Sequence, residues 1–311
     1  MEPLRASDLG VAFPALAIDR TYEAVYAAPV QVAPKIRRVL ARNPNPFTFH
    51  GTGTYIVGRG RVAVIDPGPA IDEHVQALMK ALDGETVTHI LVTHTHNDHS
   101  PAAGPLKALT GATTYGFGRH GSGKSLDDVD VEEGGDMTFL PDVVVGDGSV
   151  IAGDGFTFES VYTPGHTSNH VCFAFREERS FFSGDHVMGW STTVIAPPDG
   201  DMAEYFLSLE KLLVRRETVF YPTHGNPISH PQEYVRNLIS HRRARELQVV
   251  ECLKRGLCSI PEMVRVIYSE VDRRLHPAAS RSVLAHLLYL VGLGKVTCDG
   301  AAGPSSVYRL T

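Results

Sequence analysis

The stretch Thr88-His-Ile-Leu-Val-Thr-His-Thr-His-Asn-Asp-His99 decides the reading of this chain. Its opening, Thr88 to Val92, is a short and largely apolar run that reads as a buried strand. Four side chains able to bind metal follow within six residues: His94, His96, Asp98 and His99. His94 and His96 stand two apart, so on an extended backbone both project to the same side. Imidazole and carboxylate are the donors that zinc and similar divalent metals take. The plain alternative is a surface loop that happens to be rich in histidine. That alternative gives no reason for further ligands elsewhere in the chain.

Further ligands are present. His166 sits in Thr163-Pro-Gly-His-Thr167, Asp185 in Ser183-Gly-Asp-His186, and His224 in Tyr221-Pro-Thr-His-Gly225. Each follows a strand-like run and lies beside a glycine that allows a tight turn. Singly, each is an ordinary turn residue. As an ordered set with the first cluster, they supply what one loop cannot.

The ordered motifs HxHxDH, TPGHT, SGD and PTHG resemble the metallo-β-lactamase superfamily. The resemblance implies that His94, His96 and His166 hold one metal, that Asp98, His99 and His224 hold a second, and that Asp185 bridges them. Asp66, at the end of an earlier strand, matches the family aspartate that steadies the metal loop through hydrogen bonds. Two further segments, Asn45-Pro-Phe-Thr-Phe-His-Gly-Thr-Gly-Thr-Tyr55 and Ser240-His-Arg-Arg-Ala-Arg-Glu-Leu-Gln248, are similar to the β-lactamase-like protein 2 group. The likeness runs from about residue 43 to the end and is loose between Gly118 and Gly135. That group is linked to endoribonuclease activity on single-stranded RNA. TPGHTSNH also resembles glyoxalase II, a thioester hydrolase. Family members that destroy β-lactams commonly carry cysteine where this chain has Asp185, which points away from antibiotic hydrolysis.

Periodicity places these motifs on a strand-rich frame. Thr52 to Val57 and Arg61 to Ile65 read as a hairpin, and Ile71 to Leu82 as a helix that closes at Gly84. A short helix is expected over Pro105 to Leu109 and a strand over Thr113 to Gly116. Gly118 to Gly135, rich in Gly and Asp, reads as a mobile loop. Strands follow at Ser149 to Ile151, Phe156 to Tyr162, Val171 to Phe175, Ser180 to Phe182 and Thr218 to Tyr221, with a helix over Asp201 to Arg215. The pattern suits an α/β fold, a four-layer αββα sandwich with its sites at strand ends. Beyond Pro231 the chain turns helical: Arg245 to Arg255, a capping-box start at Ser259, and Pro277 to Leu293. A ribbon over Lys295 to Cys298 and Val307 to Leu310 completes a winged-helix pattern. The expected organisation is an N-terminal arm over 1–34, a catalytic domain over 35–240 and a winged-helix domain over 241–311.

The 311 residues carry a net charge of -6, unevenly placed. From His241 to the end there are 11 Lys/Arg against 6 Asp/Glu, and before it 18 against 29. Arg242, Arg243 and Arg245 are close together and are candidates to pair with phosphates of single-stranded RNA, or else a solvated helix face. The third tail helix has Arg281 as its one basic residue, too few for a helix that reads DNA, which argues against a nucleic-acid-binding regulator. Cys172, Cys252, Cys258 and Cys298 form no CxxC pair and read as packed thiols. No apolar run is long enough to span a bilayer and the N-terminus has no signal pattern, so the cytoplasm is the expected location.

Together these readings give a hydrolase using two divalent metals, zinc first, with manganese or iron as alternatives. Asp98 is placed to orient a water nucleophile and take its proton. His170 and His186, beside the ligands, are candidates for the acid that protonates the leaving group. Single-stranded RNA is the first substrate expected and a thioester or other small ester the second. Self-association is a further possibility.

Overall fold

The computed structural model describes residues 4–124 and 134–311. Along the chain run β1 (Pro29–Ala33), β2 (Ile36–Leu40), β3 (Gly53–Arg59), β4 (Arg61–Ile65), α1 (Asp72–Ala81), β5 (Thr86–Leu91), α2 (Ala103–Thr110), β6 (Thr113–Gly116) and β7 (Val143–Val144). Then come β8 (Val150–Gly153), β9 (Phe156–Tyr162), β10 (Val171–Phe175), β11 (Ser180–Gly184), α3 (Met202–Leu213) and β12 (Val219–Pro222). The last section holds α4 (Pro231–Lys254), α5 (Ile260–Ile267), α6 (His276–Gly292), β13 (Val296–Cys298) and β14 (Tyr308–Leu310).

Strands β1 to β7 form one sheet in sequence order, and the second sheet runs β12-β11-β10-β9-β8. The two sheets face each other across a core that joins Tyr55, Ile65 and Leu91 to Phe158, Phe173 and Phe182. Burying each such side chain contributes about 1.5–3 kcal/mol. α1 and α2 cover the outside of the first sheet through Leu78, Leu82 and Leu106. α3 and α4 cover the second through Phe206, Leu209, Val235 and Leu238. The expected αββα layering therefore holds. α3 starts where Asp201 accepts hydrogen bonds from the amides of Ala203 and Glu204, at 2.7 and 3.1 Å.

α4 departs from expectation. A helix was expected over Arg245 to Arg255, with a domain boundary at 240/241. Instead one helix of 24 residues runs through both. No Gly or Pro interrupts it after Pro231. Its first half packs Tyr234, Val235 and Leu238 on the catalytic sheet, and its second half packs Val249, Cys252 and Leu253 into the C-terminal core with α5 and α6. The helix is a shared beam, and the division at 240/241 falls in its middle. α5 begins at the expected capping box: the Glu262 carboxylate accepts from the Ser259 amide at 3.0 Å and from its hydroxyl at 2.6 Å. α6 is occupied by packing, with Val283, Leu287 and Leu290 buried, as its apolar sequence implies.

The span 1–34 is not wholly an arm. β1 lies within it and pairs antiparallel with β2, both unforeseen as strands. The preceding residues strap across the molecule. Leu9 is buried in the C-terminal core, and the Asp19 amide donates to the Gly189 carbonyl at 2.9 Å. Of the loop expected over Gly118 to Gly135, residues 125–133 lie outside the described residues.

Candidate metal centre and its cleft

Five strand ends meet at one edge of the sandwich. β4 leads into Asp66, β5 into the run from His94 to His99, β9 into His166, β11 into Asp185 and β12 into His224. The seven proposed ligand residues, far apart in sequence, thereby come together. His96 Nδ1 lies 3.0 Å from His94 Nε2 and 3.1 Å from His166 Nε2. Asp98 Oδ2 lies 3.3 Å from His99 Nε2 and 3.1 Å from His224 Nε2. Asp185 stands between the two groups. Its Oδ1 is 3.4 Å from His224 Nε2 and its Oδ2 is 3.8 Å from His166 Nε2.

These spacings fit metal ions. Bonds of about 2.0–2.1 Å to a tetrahedral ion place neighbouring donor atoms about 3.3–3.4 Å apart. Two buried atoms, His99 Nε2 and Asp185 Oδ1, have no hydrogen-bond partner, a costly arrangement unless a cation completes it. The triads His94/His96/His166 and Asp98/His99/His224 each gather three donors within ligating reach. The electrostatics agree. Burial, then the neighbouring imidazoles of His99, His96 and His166, hold His94 far below the usual histidine range, in its neutral ligand form. Burial pushes the Asp98 carboxyl up, but His99 and His224 outweigh it and keep the group ionised. Burial likewise opposes charge on His224, yet Asp185 and Asp98 raise it to about 10. The carboxylate end of the cluster attracts positive charge.

The outer ring nitrogens are fixed by the fold. His166 Nδ1 meets the Val194 carbonyl at 2.6 Å and His224 Nδ1 meets the Gly51 carbonyl at 3.0 Å. Asp66 binds three pieces of the site. It accepts from the Thr93 amide at 2.8 Å and the Thr223 hydroxyl at 2.8 Å, and its Oδ2 lies 3.0 Å from His99 Nδ1. Such partners orient a ligand and set its tautomer.

The matches to known proteins follow this geometry. The sequence profile of the Metallo-beta-lactamase superfamily matches residues 48–224, which contain all seven positions. This chain belongs to the metallo-β-lactamase superfamily. The profile of the Beta-lactamase associated winged helix domain matches residues 259–303. The "Beta-lactamase-like protein 2 homolog" of Drosophila melanogaster is 32% identical over 293 residues, covering 90% of this chain and 95% of the relative. The Caenorhabditis elegans homolog is 34% identical over 230 residues, covering 70% and 71%. The "Atrochrysone carboxyl ACP thioesterase" of Claviceps purpurea is 30% identical over 250 residues, covering 77% and 74%. Among solved structures, a beta-lactamase domain protein from Burkholderia ambifaria superposes with a TM-score of 0.74 over the full length of both chains, at 19% identity, a likeness of fold. As a superfamily member with this cluster, the protein is a hydrolase.

The ligand-bearing edge of the sandwich opens into a cleft of about 370 Å³. Phe47, Met188, Trp190, Val194 and Ala196 wall it, and Arg281 reaches it from α6. Trp190 is held by Phe49, whose ring stacks on it at 4.7 Å and 10°. Phe47 comes from the Asn45-Pro-Phe segment, whereas Met188, Trp190, Val194 and Ala196 come from the stretch after Asp185, which carried no sequence signal of its own.

Two sets of expected site residues are placed elsewhere. Arg242, Arg243 and Arg245 do not line the cleft. Arg242 is buried over the Tyr205 ring and donates to the Thr193 carbonyl. Arg243 lies 3.7 Å from the Phe206 ring centre and pairs with Glu246 at 2.8 Å. Arg245 is sandwiched between Phe13 and Tyr268 at 4.6 and 4.3 Å. Aromatic faces from three segments pack against these charges, so the three arginines do not form a phosphate-binding run at the cleft.

His170 and His186 are likewise wrong for a leaving-group acid. His170 is fully buried behind the ligands. Its Nε2 accepts from the Asp185 amide at 3.3 Å, so Nδ1 carries the proton and donates to Thr163 Oγ1 at 2.9 Å. Burial drives His186 down to about 3, and its ring packs edge-on against Tyr205 at 4.8 Å, away from the cleft. Both are neutral and neither lines the cleft. They are packing residues beneath the loop that carries Asp185.

Proposed function

We propose that the chain is a two-metal hydrolase of acyl thioesters or related esters. His94, His96 and His166 would hold one ion and Asp98, His99 and His224 the other, with Asp185 placed between the two groups. The donor set suits zinc first, with manganese or iron also accommodated. Two divalent ions bound there would polarise a carbonyl oxygen and lower the pKa of water to about 7.

The observation that carries this reading is the make-up of the cleft. Its walls are mainly apolar and, among the described residues, Arg281 is the one Lys or Arg side chain lining it. An apolar wall grips an acyl chain, whereas a single-stranded RNA groove needs a track of cations for successive phosphates. Among the described residues, the ionisable groups lining the cleft are ligand positions and Arg281. Among the described residues, no side chain other than the ligand positions and Arg281 is there to protonate a leaving group. A thiol, with a pKa near about 8.5, departs as thiolate with little help, while a ribose alkoxide requires a proton. Asp98 lines the cleft, and its carboxylate is placed to take the proton from the attacking water. The water oxygen bonds to the acyl carbon, the carbon–sulfur bond breaks, and the products are a carboxylate and a thiol. Phe47 and Trp190 exclude solvent around the acyl chain, and Arg281 pairs with negative charge on the carrier of the thiol.

Phosphodiester hydrolysis in single-stranded RNA is the second reading. It is favoured by the resemblance to the β-lactamase-like protein 2 group. The exposed Phe47 ring, lining the same cleft as Arg281, also suits base stacking. Turnover of an acyl thioester and of an unstructured RNA oligonucleotide, side by side, separates the two. Thioester turnover that Asp98→Asn abolishes is expected. RNA cleavage abolished by the same substitution, with no thioester turnover, would reverse the choice.

A further inference from the structure

The segment from Asn43 to Thr52 precedes every metal-ligand motif, yet it touches the second half of the ligand cluster twice. Gly51 supplies the carbonyl that holds His224 Nδ1 at 3.0 Å. The next residue, Thr52, is fully buried, and its hydroxyl lies 3.3 Å from Asp98 Oδ2. The same hydroxyl lies 3.0 Å from Asn43 Nδ2.

The direction of these contacts is fixed by chemistry. The Thr52 backbone amide can only donate, and it donates to Asn43 Oδ1 at 2.9 Å. The Asn43 amide group is therefore oriented with its NH2 toward the Thr52 hydroxyl. A hydroxyl that accepts on its oxygen keeps its own proton to give. The acceptor within reach is Asp98 Oδ2, the oxygen that also faces His99 and His224. The loop is itself locked. The Thr48 hydroxyl donates to the Asn43 carbonyl at 2.6 Å, and the Ala41 amide donates to the Thr52 carbonyl at 2.8 Å. Gly51 has φ +136, and a Cβ there would lie 2.0 Å from the Ala41 oxygen, so the close approach requires glycine.

We infer that Asn43 and Thr52 form a positioning pair that orients Asp98 and so sets the affinity of the Asp98/His99/His224 half for its ion. The inference rests on the two-metal reading above. It makes a directional claim: the first triad, His94/His96/His166, receives nothing from this pair and is indifferent to it. Neither residue is catalytic; both act through Asp98.

Titration of the metal-free full-length chain with Co2+, followed by its visible absorption, tests this without reference to turnover. Wild type is expected to take up two ions. Thr52→Val keeps the shape and removes the donor. It should leave one ion unchanged and weaken the other by about tenfold to a hundredfold. Thr52→Ser should restore the weakened ion. Asn43→Asp keeps the acceptor for the Thr52 amide but draws the hydroxyl proton to itself, releasing Asp98, and should reproduce the one-sided loss without altering a buried side chain. Equal weakening of both ions, or wild-type affinity in both Thr52→Val and Asn43→Asp, overturns the inference. A wild-type chain that takes up fewer than two ions overturns the two-metal reading itself, and this inference with it.

Discussion

Arg242, in the middle of α4, donates a hydrogen bond to the main-chain carbonyl of Thr193. Thr193 in turn donates its hydroxyl to the carbonyl of Asp185 at 2.7 Å. The next carbonyl, that of Val194, holds His166. The shared helix thus braces the segment beneath two proposed metal ligands. Arg242→Ala should cost about 2–4 kcal/mol through the cavity and the unpaired carbonyl, visible as a lower unfolding midpoint. Its KM should stay within about twofold of wild type, as for a residue remote from substrate. A raised KM with unchanged stability would restore Arg242 to the substrate surface.

Asp66 joins three strand ends from a left-handed backbone, φ 47, a conformation asparagine also tolerates. Asp66→Asn therefore isolates the charge and acceptor from the backbone. It should weaken metal binding by about tenfold to a hundredfold, because His99 loses the carboxylate that fixes its ring. Metal content after dialysis against a graded chelator reads the effect directly. Retention equal to wild type would show that Thr93 and Thr223 suffice to hold the loop.

Phe47 and Arg281 reach the same cleft from opposite ends of the sequence and should separate by substrate. Phe47→Ala should raise KM for long-chain acyl thioesters and spare short ones. Arg281→Ala should raise KM for thioesters on a phosphorylated carrier and spare neutral thiol carriers. Each loss is expected to be about five- to thirtyfold, as one buried ring or one charge-assisted pair supplies about 1–2 kcal/mol. Losses of kcat alone would place both residues outside substrate binding.

The imidazole of His74 is pushed down to about 4, chiefly by burial, with its hydrogen bond to the Pro67 carbonyl pulling the other way. In the unfolded chain it titrates near about 6.5. Between these values the unfolded state binds more protons, so acid favours unfolding. The stability from keeping His74 neutral is present above about pH 6.5 and is lost as pH falls through about 4, up to about 3 kcal/mol. Urea unfolding of the metal-free protein should show a flatter pH slope in His74→Gln than in wild type over that window. Parallel slopes would mean that His74 does not contribute.

The ligand cluster was legible in the sequence because each member sits in a short motif at a strand end, where local turn chemistry and donor type coincide. The αββα frame was legible for the same reason: strands such as Phe156 to Tyr162 carry their burial pattern in their own alternation. What sequence missed depends on distant partners. The arginines of α4 look like a phosphate-binding run until Phe13, Tyr205, Phe206 and Tyr268 arrive from elsewhere to cover them. His170 and His186 lie near ligands in sequence, but the β10–β11 hairpin that they flank places them behind the site. Arg281 reads as one cation on an apolar helix, and only the docking of α6 brings it to the cleft. Thr52 lies in no metal-ligand motif, and its contact with Asp98 spans 46 residues.

The most direct test of the account is the rate of acyl-thioester hydrolysis as the metal-free chain is titrated with Zn2+. Activity is expected to rise to a plateau at two equivalents per chain, and Asp185→Asn should lose the second equivalent and the activity together. Full turnover at one equivalent, or turnover that persists with chelator present, would contradict a two-metal centre as the source of the chemistry.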